Sequence, residues 1–286
     1  MKKIQQIIEL VRLDKPIGYL LLFWPCLWGL TLANYYNQNF KIFFLYIMFF
    51  FLGSVLMRSA GCVINDIVDR KFDKKVSRTK SRPIASGKVK IFEAVIYTSI
   101  LCFLALIILI QFNVLTIELG MASMVLAFTY PFMKRLTYWP QLFLGFTFNW
   151  GIIMAWSAIH SDLSITPFIL YVAAIFWTLG YDTIYGLQDL RDDKIIGLKS
   201  TSIKFQNNVK NFVTICYLLT IAFLIILTFF IDTNFFYFLI LMLIAYQFYL
   251  QIKNFNKNRP ETCLKAFKSN NYIGILVFIS LLTNYI

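Results

Sequence analysis

The sequence predicts an all-α polytopic membrane protein, a bundle of about nine transmembrane helices, and three observations carry that reading. Its 286 residues are 59% apolar and 18% aromatic, more apolar surface than a soluble domain of this length hides in one core. Largely uncharged runs, close to the ~20 residues that cross the hydrocarbon layer, recur throughout the chain. Finally, 25 of the 27 Lys and Arg residues fall on one face if the runs number nine.

The expected spans are 17–35, 42–65, 92–111, 114–133, 142–160, 166–187, 212–231, 235–252 and 270–286. A basic segment with Lys2, Lys3, Arg12 and Lys15 precedes the first. No small-residue cleavage site follows it, and the apolar run continues into a full crossing, so it reads as a span and not a signal peptide. Nine basic residues from Arg70 to Lys90 separate the second span from the third, where Leu101 to Ile110 is apolar on every side. A strand of a membrane barrel would alternate instead, which leaves helices. Lys134 and Arg135 follow the fourth span. Arg191, Lys194, Lys199, Lys204 and Lys210 follow the sixth, and Lys253, Lys257, Arg259, Lys265 and Lys268 the eighth. Only Lys41 and Arg58 stand apart. The positive-inside rule then places the N-terminus in the cytoplasm and the C-terminus outside.

A net charge of +13 is accounted for by anchoring to anionic lipid at the cytoplasmic face. No basic, aromatic soluble module is present to bind nucleic acid. Cys26, Cys62, Cys102, Cys216 and Cys263 have no paired spacing, so neither a disulfide framework nor a zinc site is expected. The chain reads as one domain, 1–286, with cytoplasmic motif loops at 66–90 and 188–211, and a bacterial inner membrane is its simplest home.

Two acidic motifs carry the chemistry. Asn65, Asp69 and Asp73 are spaced i, i+4, i+8 at the inner end of the second span, with Asp66 beside them. If the helix continues, they share one face. Asp182, Asp189, Asp192 and Asp193 close the sixth span, and Asp182, Asp189 and Asp193 again have helical spacing. Crowded carboxylates repel, and a divalent cation removes the conflict. Hard oxygen donors with no His or Cys nearby favour Mg²⁺, which binds through a few carboxylates and a substrate's phosphates. Arg78, Arg82 and Lys134 add fixed positive charge that suits a diphosphate. Arg58 lies about two turns deeper than Asn65 on the same face. A guanidinium inside a span is costly and by default functional, and this one suits a carboxylate on a second substrate. His160 falls at the opposite end and receives no role.

With these motifs in order, the chain resembles the UbiA-type intramembrane prenyltransferases over nearly its whole length. The resemblance rests on Arg12 to Gly18, Trp24-Pro25, Arg58 to Asp73, Ser81-Arg82-Pro83, Tyr130 to Arg135, Tyr181 to Asp193, and Gly197 to Thr201. It implies a central cavity open to the cytoplasmic side, with Asp69, Asp73, Asp189 and Asp193 as catalytic residues. Those four and Asn65 would hold Mg²⁺, with Asp66 as a further candidate. It also implies that Arg78, Arg82, Tyr130 and Lys134 bind the diphosphate, that Arg58 binds the acceptor's carboxylate, and that Asp182 is a further acceptor contact. The implied reaction moves a polyprenyl group from polyprenyl diphosphate to the ring carbon ortho to the hydroxyl of 4-hydroxybenzoate, in ubiquinone biosynthesis. The alternatives are a member using homogentisate, a naphthoate or haem as acceptor, and a cation-coupled transporter. The transporter would prefer broken spans near the midplane, whereas these aspartates lie at inner helix ends.

Overall fold

A computed structural model describes residues 2–285, and among them every regular element is helical. A short surface helix α1 (Lys2–Val11) precedes α2 (Ile17–Asn37), α3 (Phe40–Asp73), α4 (Ile91–Leu109) and α5 (Val114–Leu136). Then come α6 (Pro140–Asn149), α7 (Gly151–His160), α8 (Ile165–Gly186), α9 (Leu190–Ile195) and α10 (Thr201–Lys204). The last are α11 (Val209–Leu227), α12 (Phe235–Asn254), α13 (Pro260–Lys268) and α14 (Asn270–Leu282). Nine stretches of the described residues are long and apolar enough to cross a membrane, in the order the sequence predicts.

Local chemistry fixes the ends distant from the acidic motifs. Asn39, Asn113, Ser164 and Asn234 each accept a hydrogen bond from a backbone N–H in the first turn of α3, α5, α8 and α12. Such caps supply one of the four partners that a helix start lacks, each contributing about 1 kcal/mol. The fifth span is broken at Asn149, whose Nδ2 donates to the Gly145, Ala174 and Thr178 oxygens. Those bonds tie the interruption to α8.

α8 runs through the middle of the bundle and buries Leu170, Trp177, Tyr181 and Ile184 almost completely. The tryptophans act as struts. Trp24, Trp28 and Trp177 donate to Asn271, the Gly274 carbonyl and Asn270, tying α14 to α2 and α8. α4 and α12 instead turn large side chains outward, with Phe103 at 62% and Phe235 at 73% exposure, as a lipid-facing perimeter requires.

Close approach of backbones is built on glycine at Gly29. A Cβ there would lie 2.5 Å from the Ile152 carbonyl oxygen and 2.8 Å from its Cα. Backbone cannot swing aside, so Gly29→Ala must separate α2 from α7. The expected loss is about 1–3 kcal/mol, read as a lower thermal midpoint in detergent; an unchanged midpoint would show that the two helices adjust freely.

Candidate active site

The bundle encloses a cavity of about 580 Å³. Its deep part is apolar, walled by Phe50, Leu109, Phe112, Trp150 and Met154. Its other end is polar and collects Arg12, Lys15, Arg58, Asn65, Arg78, Arg82, Tyr130 and Asp182. One compartment therefore offers a hydrocarbon-compatible interior and a cationic mouth.

The geometry of α3 supplies one wall. The helix runs unbroken for 34 residues to Asp73, so Asn65, Asp69 and Asp73 do occupy successive turns of one helix, with Arg58 about two turns before Asn65. Arg58 lies on the cavity wall, its guanidinium 5.1 Å from the Phe148 ring centre and packed against Gly18. Its buried Nε has no hydrogen-bond partner, and no carboxylate pairs with it among the described residues. A structural pairing with an aspartate is thus absent, and the cation is left for something in the cavity.

Asp66, Asp69 and Asp73 are buried behind the mouth, each held by cations. Asp66 bridges Arg12 and Arg82, the latter at 3.1 Å. Arg82 also reaches Asp73 at 2.9 Å. Asp69 receives Lys134 at 3.4 Å and Arg135 at 3.2 Å, while Arg135 also donates to the Val68 carbonyl. These pairs join α3 to α5 and to the loop that follows α3. Removing one partner of such a pair leaves an uncompensated charge, which costs about 3–5 kcal/mol.

The second motif departs from the sequence reading. α8 stops at Gly186, a 3₁₀ turn covers Leu187–Asp189, and α9 starts at Leu190. Asp182, Asp189 and Asp193 therefore do not lie along one continuous α-helical face. A Cβ on Gly186 would come within 2.5 Å of Ser202 Oγ, and Ser202 donates to the Thr183 carbonyl. Docking of α10 against the end of α8 accompanies the change of helix type. It also separates the three carboxylates: Asp182 faces the cavity, Asp189 meets Arg78, and Asp193 lies half-buried on α9.

Arg78 connects the two motifs. Its guanidinium takes both oxygens of Asp189 and donates to Tyr185 Oη at 3.3 Å, while the Ser77 N–H donates to Asp192 at 2.9 Å. Burial disfavours the charge on Arg78, but the bonds to Asp189 and the nearby Tyr185 outweigh it and raise its pKa above the ordinary value.

Of the residues singled out from sequence, Arg58, Asn65, Arg78, Arg82, Tyr130 and Asp182 line the cavity. Asp66, Asp69, Asp73, Lys134 and Asp189 form ion pairs, some around those lining residues. No group of three or more His, Cys, Asp or Glu stands close enough to hold a metal among the described residues. The donor set still suits Mg²⁺, because that ion takes only one or two carboxylates and completes its shell with water and phosphate. Asn65 Oδ1 is moreover buried without a partner, an oxygen donor left free beside the aspartates.

Arg12 and Arg135 are the site residues to which sequence reasoning gave no individual role, although both fall in stretches that carry the family resemblance. Nothing in their spacing says which aspartate each one meets. Arg12 reaches Asp66 from the turn after α1, where its φ is 57°.

The fold and site together define a membrane-embedded enzyme with a cationic mouth on an apolar chamber, and comparison with known proteins gives its class. The chain belongs to the UbiA prenyltransferase family, whose pattern it matches over residues 22–282. It is 43% identical over its full length to 98% of the 4-hydroxybenzoate octaprenyltransferase of Psychromonas ingrahamii. It is 41% identical, over 98% of its length and 75% of the relative, to the mitochondrial 4-hydroxybenzoate polyprenyltransferase of Bos taurus. Among solved structures it resembles a UbiA homologue from Aeropyrum pernix, with a TM-score of 0.79 at 20% identity, covering 94% of this chain and 99% of the homologue. A second, from Archaeoglobus fulgidus and bound to GPP and Mg²⁺, has a TM-score of 0.69 at 16% identity over 97% of this chain and 99% of that one. At those identities the structures establish the fold.

Proposed function

We propose that this chain transfers a polyprenyl group from polyprenyl diphosphate to the ring carbon ortho to the hydroxyl of 4-hydroxybenzoate, releasing diphosphate, in ubiquinone biosynthesis. The observation that carries the reading is Arg58, an unpaired guanidinium facing a largely apolar cavity whose mouth gathers further cations. The names of the full-length relatives support the same donor and acceptor.

In the proposed arrangement, the diphosphate occupies the mouth. Arg78, Arg82, Lys134 and Tyr130 bind it, so positive charge and a hydroxyl meet the negative charge that grows as the allylic C–O bond breaks. Asn65, Asp69, Asp73, Asp189 and Asp193 are the residues that would hold Mg²⁺, which when bound supplies further positive charge to the leaving diphosphate. Asp66, the least exposed of the three α3 aspartates, is assigned a different part: bridging Arg12 and Arg82, it fixes Arg82 toward the mouth. Arg58 orients the acceptor through its carboxylate, and Asp182 lies on the same cavity wall as a second acceptor contact. The ring carbon beside the phenol oxygen is electron-rich and attacks the allylic carbon. The C–O bond breaks to release diphosphate and leave an allylic cation, the ring carbon forms the new C–C bond with it, and loss of the ring proton to the released diphosphate or water restores aromaticity. No protein nucleophile is needed. The walls formed by Phe50, Phe112 and Met154 exclude the water that would otherwise capture the allylic cation. The excess of basic residues at the motif end supports placing that end in the cytoplasm, and the bacterial relatives support an inner membrane.

The test is transfer of label from 4-hydroxybenzoate into organic solvent by purified protein supplied with a prenyl diphosphate and Mg²⁺. Chelation by EDTA is expected to remove activity and added Mg²⁺ to restore it. Activity that persists through exhaustive chelation would overturn the metal assignment. Turnover of homogentisate or a naphthoate in place of 4-hydroxybenzoate would overturn the acceptor.

A further inference from the structure

At the same end of the bundle but apart from the cavity, the chain builds a second pocket of about 530 Å³. It lies between the starts of α11 and α13 and the end of α12. Its size falls in the range of about 300–1,000 Å³ usual for small-molecule sites. Four cations line it, Lys210, Lys253, Lys257 and Arg259, with neutral amides such as Asn208 and Asn256 between them and no carboxylate. Glu261 is the one acidic residue in the adjoining segments, and it does not line the pocket.

Among the described residues none of the four cations has an ion-pair partner. Lys210 and Lys253 lie 5.5 and 5.8 Å from the ring centres of Phe255 and Tyr249, and Lys257 donates to the Gln206 carbonyl. These are neutral contacts that leave the mutual repulsion of four like charges unanswered. The starts of α11 and α13 border the same pocket, and neither has a side-chain cap. Their free N–H groups add to the positive potential. The site as a whole calls for an anion.

The anion's source is indicated by what lies next to the pocket. Within two turns of it, α11 and α12 present Ile215, Tyr246 and Tyr249 outward at 56%, 60% and 55% exposure. The cations thus sit where two lipid-facing helices leave the hydrocarbon. A ligand with a phosphodiester head and acyl chains satisfies both parts at once, whereas a soluble phosphate uses only the first. We infer that this pocket binds the headgroup of an anionic phospholipid, a site separate from the prenyl-transfer cavity. Its occupant also touches the second motif's support, because Gln206, which lines the pocket, accepts hydrogen bonds from both Lys257 and Lys194 of α9.

Native mass spectrometry of the full chain in neutral detergent tests this, with phosphatidylglycerol and phosphatidylcholine of the same acyl chains as probes. The expected result is a one-to-one phosphatidylglycerol adduct, preferred by about tenfold or more on the strength of several adjacent basic residues. K210Q/K253Q/K257Q/R259Q should lose that preference, while K71Q/K74Q/K75Q/K88Q, with the same change of charge elsewhere on that end, should retain it. Thermal melting verifies that each variant is folded. If the quadruple variant is not, Lys210→Gln and Lys257→Gln singly should each weaken the preference about threefold, with the same reading. Retention of the preference in the pocket variants, or equal loss in the control, would overturn the inference. So would displacement of the lipid by millimolar inorganic phosphate, which would reassign the pocket to a soluble anion.

Discussion

Asp69→Ala is expected to lower kcat/KM for prenyl transfer by about 10²–10⁴-fold, about 3–5 kcal/mol of lost transition-state stabilisation. Asp69 is 5% exposed and is the shared counter-charge of Lys134 and Arg135. Its loss removes an oxygen donor assigned to the metal and frees two cations that otherwise hold α5 against α3. Asp69→Asn separates the two effects, since it keeps an oxygen donor and the shape while losing the charge. It should melt above Asp69→Ala, though below the unaltered protein because Lys134 and Arg135 lose their counter-charge, and still be strongly impaired. If Asp69→Ala stays within tenfold of normal activity while folded, Asp69 has no part in catalysis.

Arg58→Ala should raise KM for 4-hydroxybenzoate by about 30-fold or more, since removing one member of a desolvated charge pair costs about 2–5 kcal/mol. The same variant should leave KM for the prenyl diphosphate nearly unchanged, because Arg58 lies about two turns deeper along α3 than Asn65. Arg58→Lys should recover only part of the loss, since an ammonium replaces a fork matched to a carboxylate. A phenolic acceptor without the carboxylate should react equally with both variants and the unaltered protein. Equal damage to the two substrates' KM values would instead make Arg58 a structural residue.

The span order was legible because hydrocarbon imposes a length on each helix and charge cannot remain inside it. The same constraint made Arg58 conspicuous. Asn65, Asp69 and Asp73 were legible as one helical face because α3 continues without interruption. The second motif was not, because its helical spacing breaks at Gly186, where α10 docks from the following segment. Spacing carries no information about a contact made by a later part of the chain. The caps at Asn39, Asn113, Ser164 and Asn234 are similarly local and support the span boundaries from within the sequence.

Arg12 shows the limit most plainly. It is 54 residues from Asp66 in the chain and its spacing shows no link to that aspartate, yet it helps hold the buried carboxylate that anchors Arg82. Sequence by itself determined that this protein is a nine-span helical bundle with acids and bases gathered at one end of it, because periodicity, apolar length and charge placement act locally. Only the tertiary structure decided which cations face the cavity and which are spent on neighbouring aspartates, because ion pairing depends on distances across helices that no spacing along the chain encodes.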